Sequence, residues 1–268
     1  MPLQLGRRRM MTGKKTRFGL LFSALSVGVL LTGGVLAQSD EENVGAVAAA
    51  RILGSAPLVD SPAAQRYLNL VGRWIASKTE SDYKWRFGLI KTDSVNAFAT
   101  PGGFVLVTVG LIKLLDNEDE LAFVLAHEIA HVIQRHHYRV VLRQRLAEKA
   151  AKNLQVATGE LDNAALSQAS AQIYARGLDK SSEFEADRMG VELMTQAGFD
   201  PAFAMGVLER LQNLKGNDPR ADLLFSTHPS PAERLDTVLL TNIDQLPRPQ
   251  PDGVAKRTSR FKQFLASF

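Results

Sequence analysis

Most of the chain beyond residue 40 carries apolar residues every three or four positions, which is the spacing of an amphipathic helix. Proline and glycine mark the helix ends: Pro62 and Pro231 suit first helical positions, whereas Gly54 and Gly198 suit the residue that follows a helix. The pattern predicts helices over residues 41–53, 117–138, 139–154, 181–197 and 201–216, and two more that begin at Pro62 and Pro231.

The middle of the chain has a different pattern, because apolar and polar residues alternate there as they do in strands. This alternation predicts strands over residues 83–91, 95–99 and 104–109, and the turn residues Pro101, Gly102 and Gly103 join the last two as a hairpin. The predicted fold class is therefore α+β, mainly helical, with a small and mostly antiparallel sheet.

One predicted helix carries polar residues where burial is expected. Residues 121–133 are almost entirely apolar, yet His127, Glu128 and His131 lie within them. Buried imidazole and carboxylate groups are costly unless they are paired or bind a metal. Because His127 and His131 are four residues apart, they share a helix face and can bind one tetrahedral Zn²⁺. Glu128 lies about 100° round the helix from His127, where it can act as the general base on a water molecule.

A second acidic segment supplies candidates for the remaining metal contacts. A catalytic zinc has three protein ligands and one open position, so Glu183 is predicted as the third ligand of one Zn²⁺ per chain. Asp187 follows four residues later and is predicted to accept a hydrogen bond from the second ring nitrogen of His127, with a solvated surface charge as the alternative. Glu185 is predicted to be such a surface charge.

Two further histidines follow His131, in the predicted helix 117–138. If that helix continues, His136 and His137 project about 140° and 240° round it from His131, and both are therefore predicted to lie on the surface. The next amphipathic segment, residues 139–154, is predicted to be a packed surface helix, with a membrane contact or a lid over the active site as alternatives.

The charge of the chain is unevenly distributed. Residues 1–37 carry six basic and no acidic side chains, and the remainder has 26 basic against 28 acidic ones. The basic isoelectric point of the whole chain comes from this N-terminal segment, and it therefore gives no support for a nucleic-acid partner. Basic residues followed by the apolar run 19–36 are typical of a secretory signal, so residues 1–37 are predicted as a signal peptide, with an uncleaved membrane anchor as the alternative.

The rest of the chain is predicted as a catalytic domain over residues 38–246 and a Pro-rich linker with a basic tail over residues 247–268. The chain contains no cysteine, which excludes disulfides, a cysteine nucleophile and a cysteine-linked lipid. An exported protein of the bacterial periplasm or cell envelope fits these features.

Four stretches, residues 96–103, 127–131, 183–187 and 227–235, together resemble the HtpX and CAAX prenyl endopeptidase family of zinc metallopeptidases, which is of the gluzincin type. The resemblance runs from about residue 45 to 245 and is strongest to the soluble, exported branch, since no apolar span follows the first. It implies a gluzincin-like domain in which His127, His131 and Glu183 bind zinc, Glu128 is the base and Asp187 supports a ligand.

The resemblance also implies roles for residues outside the two metal-binding helices. The strand with Asn96, Ala97 and Phe98 would be the sheet edge along which an extended substrate binds. His228 would lie near the metal, either to stabilise the oxyanion or to close the site as a fourth ligand, and Arg234 would lie close by.

The predicted function is a zinc-dependent metalloendopeptidase that hydrolyses misfolded or unassembled envelope proteins. Its partners would be polypeptide substrates, its N-terminal segment offers membrane association, and its oligomeric state is left open. The alternative is an exported zinc-binding chaperone or adaptor whose site is closed and weakly proteolytic.

Overall fold

The structure, a computed structural model, describes residues 24–158, 178–214, 216, 218–228 and 231–268, with the backbone alone over residues 24–39, 148 and 151–158. The chain divides into a short unit, Met1–Gln38, and a large unit, Ser39–Phe268. The predicted signal segment, residues 1–37, lies mostly outside the described residues. Among the helices that are described, none is both long enough and apolar enough to cross a membrane.

The elements follow the predicted order closely. The strands are β1 (Arg86–Ile90), β2 (Ala97–Thr100) and β3 (Phe104–Thr108). The described helices are α1 (Ala24–Ser55), α2 (Pro62–Ala76), α3 (Val109–Ile112), α4 (Glu118–Ile133), α5 (His136–Thr158), α6 (Lys180–Gln196), α7 (Phe203–Leu214), α8 (Asp222–Thr227), α9 (Pro231–Leu239) and α10 (Pro251–Leu265). This mainly helical α+β architecture confirms the predicted fold class.

The sheet is mixed, with β3 in the centre. β2 and β3 form the predicted antiparallel hairpin, in which Ala97 pairs with Val107, and β1 pairs with β3 in parallel. A parallel neighbour needs a crossover connection between its strands. The chain makes this crossover by way of β2, which follows β1 in sequence but lies on the opposite side of β3 in the sheet.

The two faces of the sheet are covered by different helices, because successive strand residues point to opposite sides. Phe87, Leu89, Val105 and Val107 belong to the main core, which they share with buried residues of α2, α4, α6 and α7. On the other face, Ile90 and Leu106 pack with Ala49 of α1, in a small second cluster. The sheet therefore lies between α1 and the helices of the main core.

The two edges of the sheet are treated differently. Along β1, Gln65 and Asn69 of α2 form hydrogen bonds with the backbone of Leu89 and Phe87, which satisfies the exposed peptide groups of that edge. Across the described residues, no backbone outside the hairpin pairs with β2. An unpaired edge of this kind can accept another extended chain.

The C-terminal segment corrects a prediction. Residues 247–268 were expected to be a linker and a basic tail, but residues 251–265 form α10, whose Phe261 and Phe264 are 0% and 3% exposed. Arg257 and Arg260 of this helix pair with the buried carboxylates of Asp119 and Glu118 in the first turn of α4. The basic residues of the tail are thus partners for acids beneath them and stabilise the start of α4.

Candidate active site

Helix α4 carries the first part of the site through the core. Asn117 caps its N-terminus by accepting a hydrogen bond from the Glu120 N–H. His127, Glu128 and His131 lie near its C-terminal end and are all nearly inaccessible to solvent. The apolar residues around them fix α4 among its neighbours, so these polar groups have little freedom to move.

Helix α6 brings two carboxylates against α4. Glu183 and Asp187 are completely buried and lie one helical turn apart on the face that packs against α4. Gly190, one turn further on, allows this close approach, because a Cβ atom there would lie 3.1 Å from the backbone nitrogen of His127. The packing of two helices therefore sets the positions of the imidazoles relative to the carboxylates.

The side chains of His127, His131 and Glu183 converge on one point. The two Nε2 atoms of the histidines are 2.9 Å apart, and the Glu183 oxygens lie 3.3 Å from Nε2 of His131 and 3.6 Å from Nε2 of His127. Ligands about 2.0 Å from a tetrahedral zinc are separated by about 3.3 Å. The spacing of these three donors thus fits one metal ion.

His228 adds a fourth donor from the loop after α8. One ligand atom from each of His127, His131, Glu183 and His228 lies within 4.8 Å of all the others. Nδ1 of His228 contacts the Thr227 hydroxyl at 2.9 Å, which leaves Nε2 to face the site. The structure therefore brings together a four-donor set, defined as these four residues, that could hold a metal ion.

The chemistry of the four-donor set also fits a metal ion. Both carboxylate oxygens of Glu183 are buried and accept no hydrogen bond from the described residues. Burial lowers the pKa of His131 well below its ordinary value and that of His228 to about 3, so both rings are neutral. Neutral imidazole and ionised carboxylate are the forms that bind a divalent metal.

Asp187 and Arg234 hold His127 from behind. Nδ1 of His127 lies 2.9 Å from Oδ1 of Asp187, and two guanidinium nitrogens of Arg234 donate to the Asp187 carboxylate at 2.7 and 2.8 Å. Burial alone would raise the pKa of Asp187, but the charge and hydrogen bonds of Arg234, together with those of His127, outweigh this effect. The pKa of Asp187 therefore lies well below its usual value, and the carboxylate is ionised. Because Asp187 fixes Nδ1, Nε2 of His127 is left to face the four-donor set.

The prediction that His136 and His137 lie on the surface was wrong. α4 ends at Ile133 and Arg135 has a positive φ of 56°, so the chain turns before α5 and the helical projection does not apply. His136 is buried, with its Nδ1 2.8 Å from Nδ1 of His131 and its Nε2 3.2 Å from Glu185. His137 is half-buried, and burial lowers its pKa to about 4.

Glu128 lies next to the four-donor set without belonging to it. Its Oε1 is 3.8 Å from Nε2 of His228, and its Oε2 has no hydrogen-bond partner among the described residues. Burial raises the pKa of Glu128 to about 7, and the nearby Glu183 carboxylate adds to the effect. A carboxyl group with a pKa near neutrality can both accept and donate a proton at physiological pH.

The predicted edge residues occupy three different environments. Asn96 is completely buried and its backbone is joined to Thr108, while its side-chain oxygen accepts from the Ala97 N–H. Phe98 packs in the second cluster, towards α1. Because paired residues alternate along a hairpin, the peptide groups of Ala97 and Ala99 face away from β3, and the Ala99 N–H approaches Glu128. Ala99 is the last residue of the strand that the sequence predicted as the substrate edge, and its backbone brings that edge to Glu128.

Comparison with known proteins identifies the family. The chain is 34% identical to the beta-barrel assembly-enhancing protease of Escherichia coli K12 over 218 residues, which are 76% of this chain and 44% of that protein. It is 36% identical to the mitochondrial metalloendopeptidase OMA1 of Schizosaccharomyces pombe over 167 residues, 61% of this chain and 48% of the relative. The match therefore spans less than half the length of either relative.

The family description "Peptidase family M48" matches residues 62–241, a range that contains α4, α6 and every member of the four-donor set. Membership of this family implies a metal cofactor, and the four-donor set could hold it. With its buried histidine and carboxylate cluster on two packed helices, this chain belongs to peptidase family M48.

Proposed function

We propose that this chain is a zinc-dependent metalloendopeptidase that hydrolyses peptide bonds in polypeptide substrates. The observation that carries the proposal is the four-donor set, buried beside Glu128 and next to the unpaired edge of β2. Membership of family M48 and the names of the relatives, a protease and a metalloendopeptidase, support the reaction class.

In this proposal His127, His131 and Glu183 hold one Zn²⁺ per chain. Two nitrogens and one oxygen form a common ligand set for catalytic zinc, and their mutual distances suit a tetrahedral site. Zinc bound there supplies Lewis acidity and lowers the pKa of water. Asp187, held by Arg234, keeps the His127 ring in the orientation and tautomer that a metal ligand requires.

Glu128 is the proposed general base and acid. It accepts the proton from the attacking water and then donates it to the amine nitrogen that leaves when the peptide bond breaks. A pKa of about 7, caused first by burial, suits both steps. Because Glu128 is not among the convergent donors, its proton transfer does not compete with metal binding.

The free edge of β2 is the proposed binding site for the substrate backbone. The carbonyl groups of Ala97 and Ala99 face away from β3 and accept no backbone hydrogen bond among the described residues, so they can pair with an extended peptide that adds to the sheet as a further strand. Such backbone recognition places the scissile carbonyl beside Glu128. It suits substrates that are already unfolded, as misfolded or unassembled proteins are.

We further propose that the substrates are proteins of a bacterial cell envelope. The basic N-terminus and the apolar run 19–36 support export, and membrane association through this segment remains part of the proposal. One relative is named for enhancing β-barrel assembly. A role of this chain in the quality control of envelope proteins accords with that name.

A second function is favoured by one observation. His228 supplies a donor atom within the four-donor set, and a zinc site with four protein ligands is typical of a closed, structural centre. In that state the chain would be a zinc-binding chaperone or adaptor with little proteolysis. The two functions differ in whether His228 leaves the site when a substrate binds.

The first prediction separates these functions. Glu128→Gln removes the base but no metal ligand, so we expect it to abolish cleavage of casein and of unfolded envelope proteins while zinc content and thermal stability stay close to wild type. Zinc is measured by elemental analysis and cleavage by gel electrophoresis of the purified protein. Glu192→Gln, at an exposed position on α6, is the control for a lost carboxylate.

Two outcomes would oppose the proposal. Turnover of Glu128→Gln at the wild-type rate would exclude Glu128 as the base. Zinc-loaded wild type that cleaves no unfolded substrate, yet prevents its aggregation as well as Glu128→Gln does, would instead support the chaperone or adaptor function.

A further inference from the structure

A cavity of about 870 Å³ adjoins the active site. Its lining includes His228, Thr227 and His137 at the metal end and Ala97, Phe98, Ala99 and Thr100 of β2 along one side. The cavity is therefore continuous with both the four-donor set and the free strand edge.

Two helices supply most of the remaining lining of this cavity. From α1 come Val44, Val47 and Ala48, and from α5 come Val140 and Val141. α1 is anchored to the body of the protein, since the Thr100 hydroxyl donates to the Gly45 carbonyl and the buried Glu41 pairs with Arg135. The apolar walls thus have fixed positions relative to β2.

The charged residues on the cavity lining are few and largely paired. Asp40 of α1 accepts hydrogen bonds from Arg145 of α5 at 2.7 Å and from the Tyr138 hydroxyl at 2.8 Å, so this pair joins the two walls at the rim. Arg51 is the other charged residue on the lining and is exposed. A charged substrate side chain placed between the walls would meet valine and alanine and would lose its hydration without a partner.

We propose that the space between α1 and α5, here called the side-chain pocket and lined by Val44, Val47, Ala48, Val140 and Val141, selects substrates with a large apolar side chain near the cleaved bond. The inference rests on the proposed peptidase function and adds the class of residue that is recognised. A peptide added to β2 directs alternate side chains to opposite sides of the sheet, so one of them enters the gap between the helices. Ordinary folded surfaces present few such residues, whereas misfolded chains expose many.

The test uses quenched fluorescent peptides that differ at a single guest position: Phe, Leu, Ala, Asp or Lys in one glycine- and serine-rich host. kcat/KM is measured with the zinc-loaded protein, and the dissociation constant of each peptide is measured with the Glu128→Gln variant. We expect the Phe and Leu peptides to have a kcat/KM about tenfold or more above that of the Ala and Asp peptides and a dissociation constant lower by a similar factor, as apolar pockets discriminate by such factors.

Two substitutions on α1 connect this preference to the pocket. Ala48→Trp fills the space and should lower kcat/KM for the Phe peptide by about tenfold while the Ala peptide changes less than about twofold. Ala50→Trp, on the same helix but exposed and away from the cavity, is the matched control and should behave as wild type. Val47→Asp alters a residue that is 55% exposed, so it should fold, and it should improve the Lys peptide relative to the Phe peptide.

The outcomes separate this inference from the peptidase function. If all guest peptides are bound and cleaved equally, the proposal that the side-chain pocket selects substrates is wrong, although peptide hydrolysis stands. The same holds if Ala48→Trp and Ala50→Trp show the same preference among the peptides. Selective binding of Phe and Leu peptides by Glu128→Gln, without cleavage of any peptide by the wild type, would overturn the peptidase function and support the pocket.

Discussion

At the scale of single residues, the two histidines of α4 are each held by a separate chain of hydrogen-bonding groups. His127 is oriented by Asp187, whose carboxylate is held in turn by Arg234. His131 is oriented by His136, whose other nitrogen contacts Glu185. Groups that fix the second nitrogen of a metal-binding histidine usually affect metal affinity by 10- to 100-fold.

The second prediction therefore concerns His136. His136→Ala removes the group that fixes the ring of His131, and we expect zinc affinity to fall by about 10- to 100-fold with a smaller loss for His136→Gln, which can restore a hydrogen bond. Affinity is measured by competition with a chelator of known strength. Arg139→Ala, an exposed change one turn further along α5, is the control. A zinc affinity that is the same in all these variants would show that His136 is merely packed against the site.

The third prediction concerns His228. If its nitrogen occupies the fourth metal position at rest, His228→Ala should raise turnover of an unfolded substrate, whereas loss of an oxyanion donor should lower it by about 10²-fold or more. The position of His228 within the four-donor set favours a rise. Steady-state cleavage of one unfolded substrate by wild type and His228→Ala measures the sign. A change below about twofold would remove His228 from the reaction.

The residue scale also shows what the sequence could and could not supply. The relation of His127 to His131 was predictable, because it depends only on the pitch of one helix. The position of His136 was not, because it follows from the left-handed backbone of Arg135, a conformation that only a few per cent of non-glycine residues adopt. Ala99 has only a methyl side chain and contacts Glu128 through its backbone, so the sequence gives no sign of this contact and only the strand register reveals it.

At the scale of elements, the site depends on how closely α6 approaches α4. The fourth prediction is that Gly190→Val forces these helices apart, since even one added carbon lies 3.1 Å from the His127 backbone. We expect weaker zinc binding and lower thermal stability, because small-to-large changes in a packed interface cost about 1–3 kcal/mol.

Gly206→Val is the matched control for this prediction. Gly206 also lies inside a helix, α7, but a Cβ atom there would meet only a Glu120 oxygen at 3.8 Å. The Gly206→Val variant should therefore leave zinc affinity unchanged. Equal loss of zinc affinity in both variants would indicate that valine weakens the helices themselves and not the contact between α4 and α6.

The C-terminal helix α10 is the element that the sequence pattern did not predict, and the reason is physical. Pro247, Pro249 and Pro251 together suggested a linker, but Pro251 occupies the first helical position, where proline is favoured. The apolar stripe of α10 is short, and its burial depends on a partner far away in sequence. The ring of Phe264 stacks on Tyr67 with centroids 4.4 Å apart, a contact that local patterns do not encode.

At the scale of the whole molecule, every buried acid among the described residues has a cationic partner, apart from Glu128 and the Glu183 of the four-donor set, which have no hydrogen-bonded cation. Asp119 and Glu118 have arginine partners from α10, and Asp187 has Arg234. Glu183 lacks a hydrogen bond among the described residues, and Arg234 lies 3.5 Å from its Oε2. A cation bound by Glu183 would satisfy both of its buried oxygens, so metal binding and folding should be coupled.

The fifth prediction is that zinc raises the melting temperature of the purified protein and that a chelator reverses the rise. A ligand at 100 times its dissociation constant stabilises the folded state by about 2.7 kcal/mol. For a chain of this size each kcal/mol shifts the midpoint by about 2–4 °C, which gives an increase of about 5–11 °C. Differential scanning fluorimetry with and without zinc measures it.

Two variants decide whether this rise comes from the four-donor set. Glu183→Gln preserves the shape of the side chain but weakens its binding to zinc, and His131→Ala deletes a ligand, so both should lose most of the zinc-dependent increase. Glu128→Gln, which changes no proposed ligand, should keep it. Because zinc can also bind histidines in the unfolded chain and reduce the effect, the comparison is made at equal zinc concentration across all variants. If His131→Ala gains as much as Glu128→Gln, the stabilising metal lies elsewhere in the chain, and the four-donor set would have to be abandoned as the zinc site.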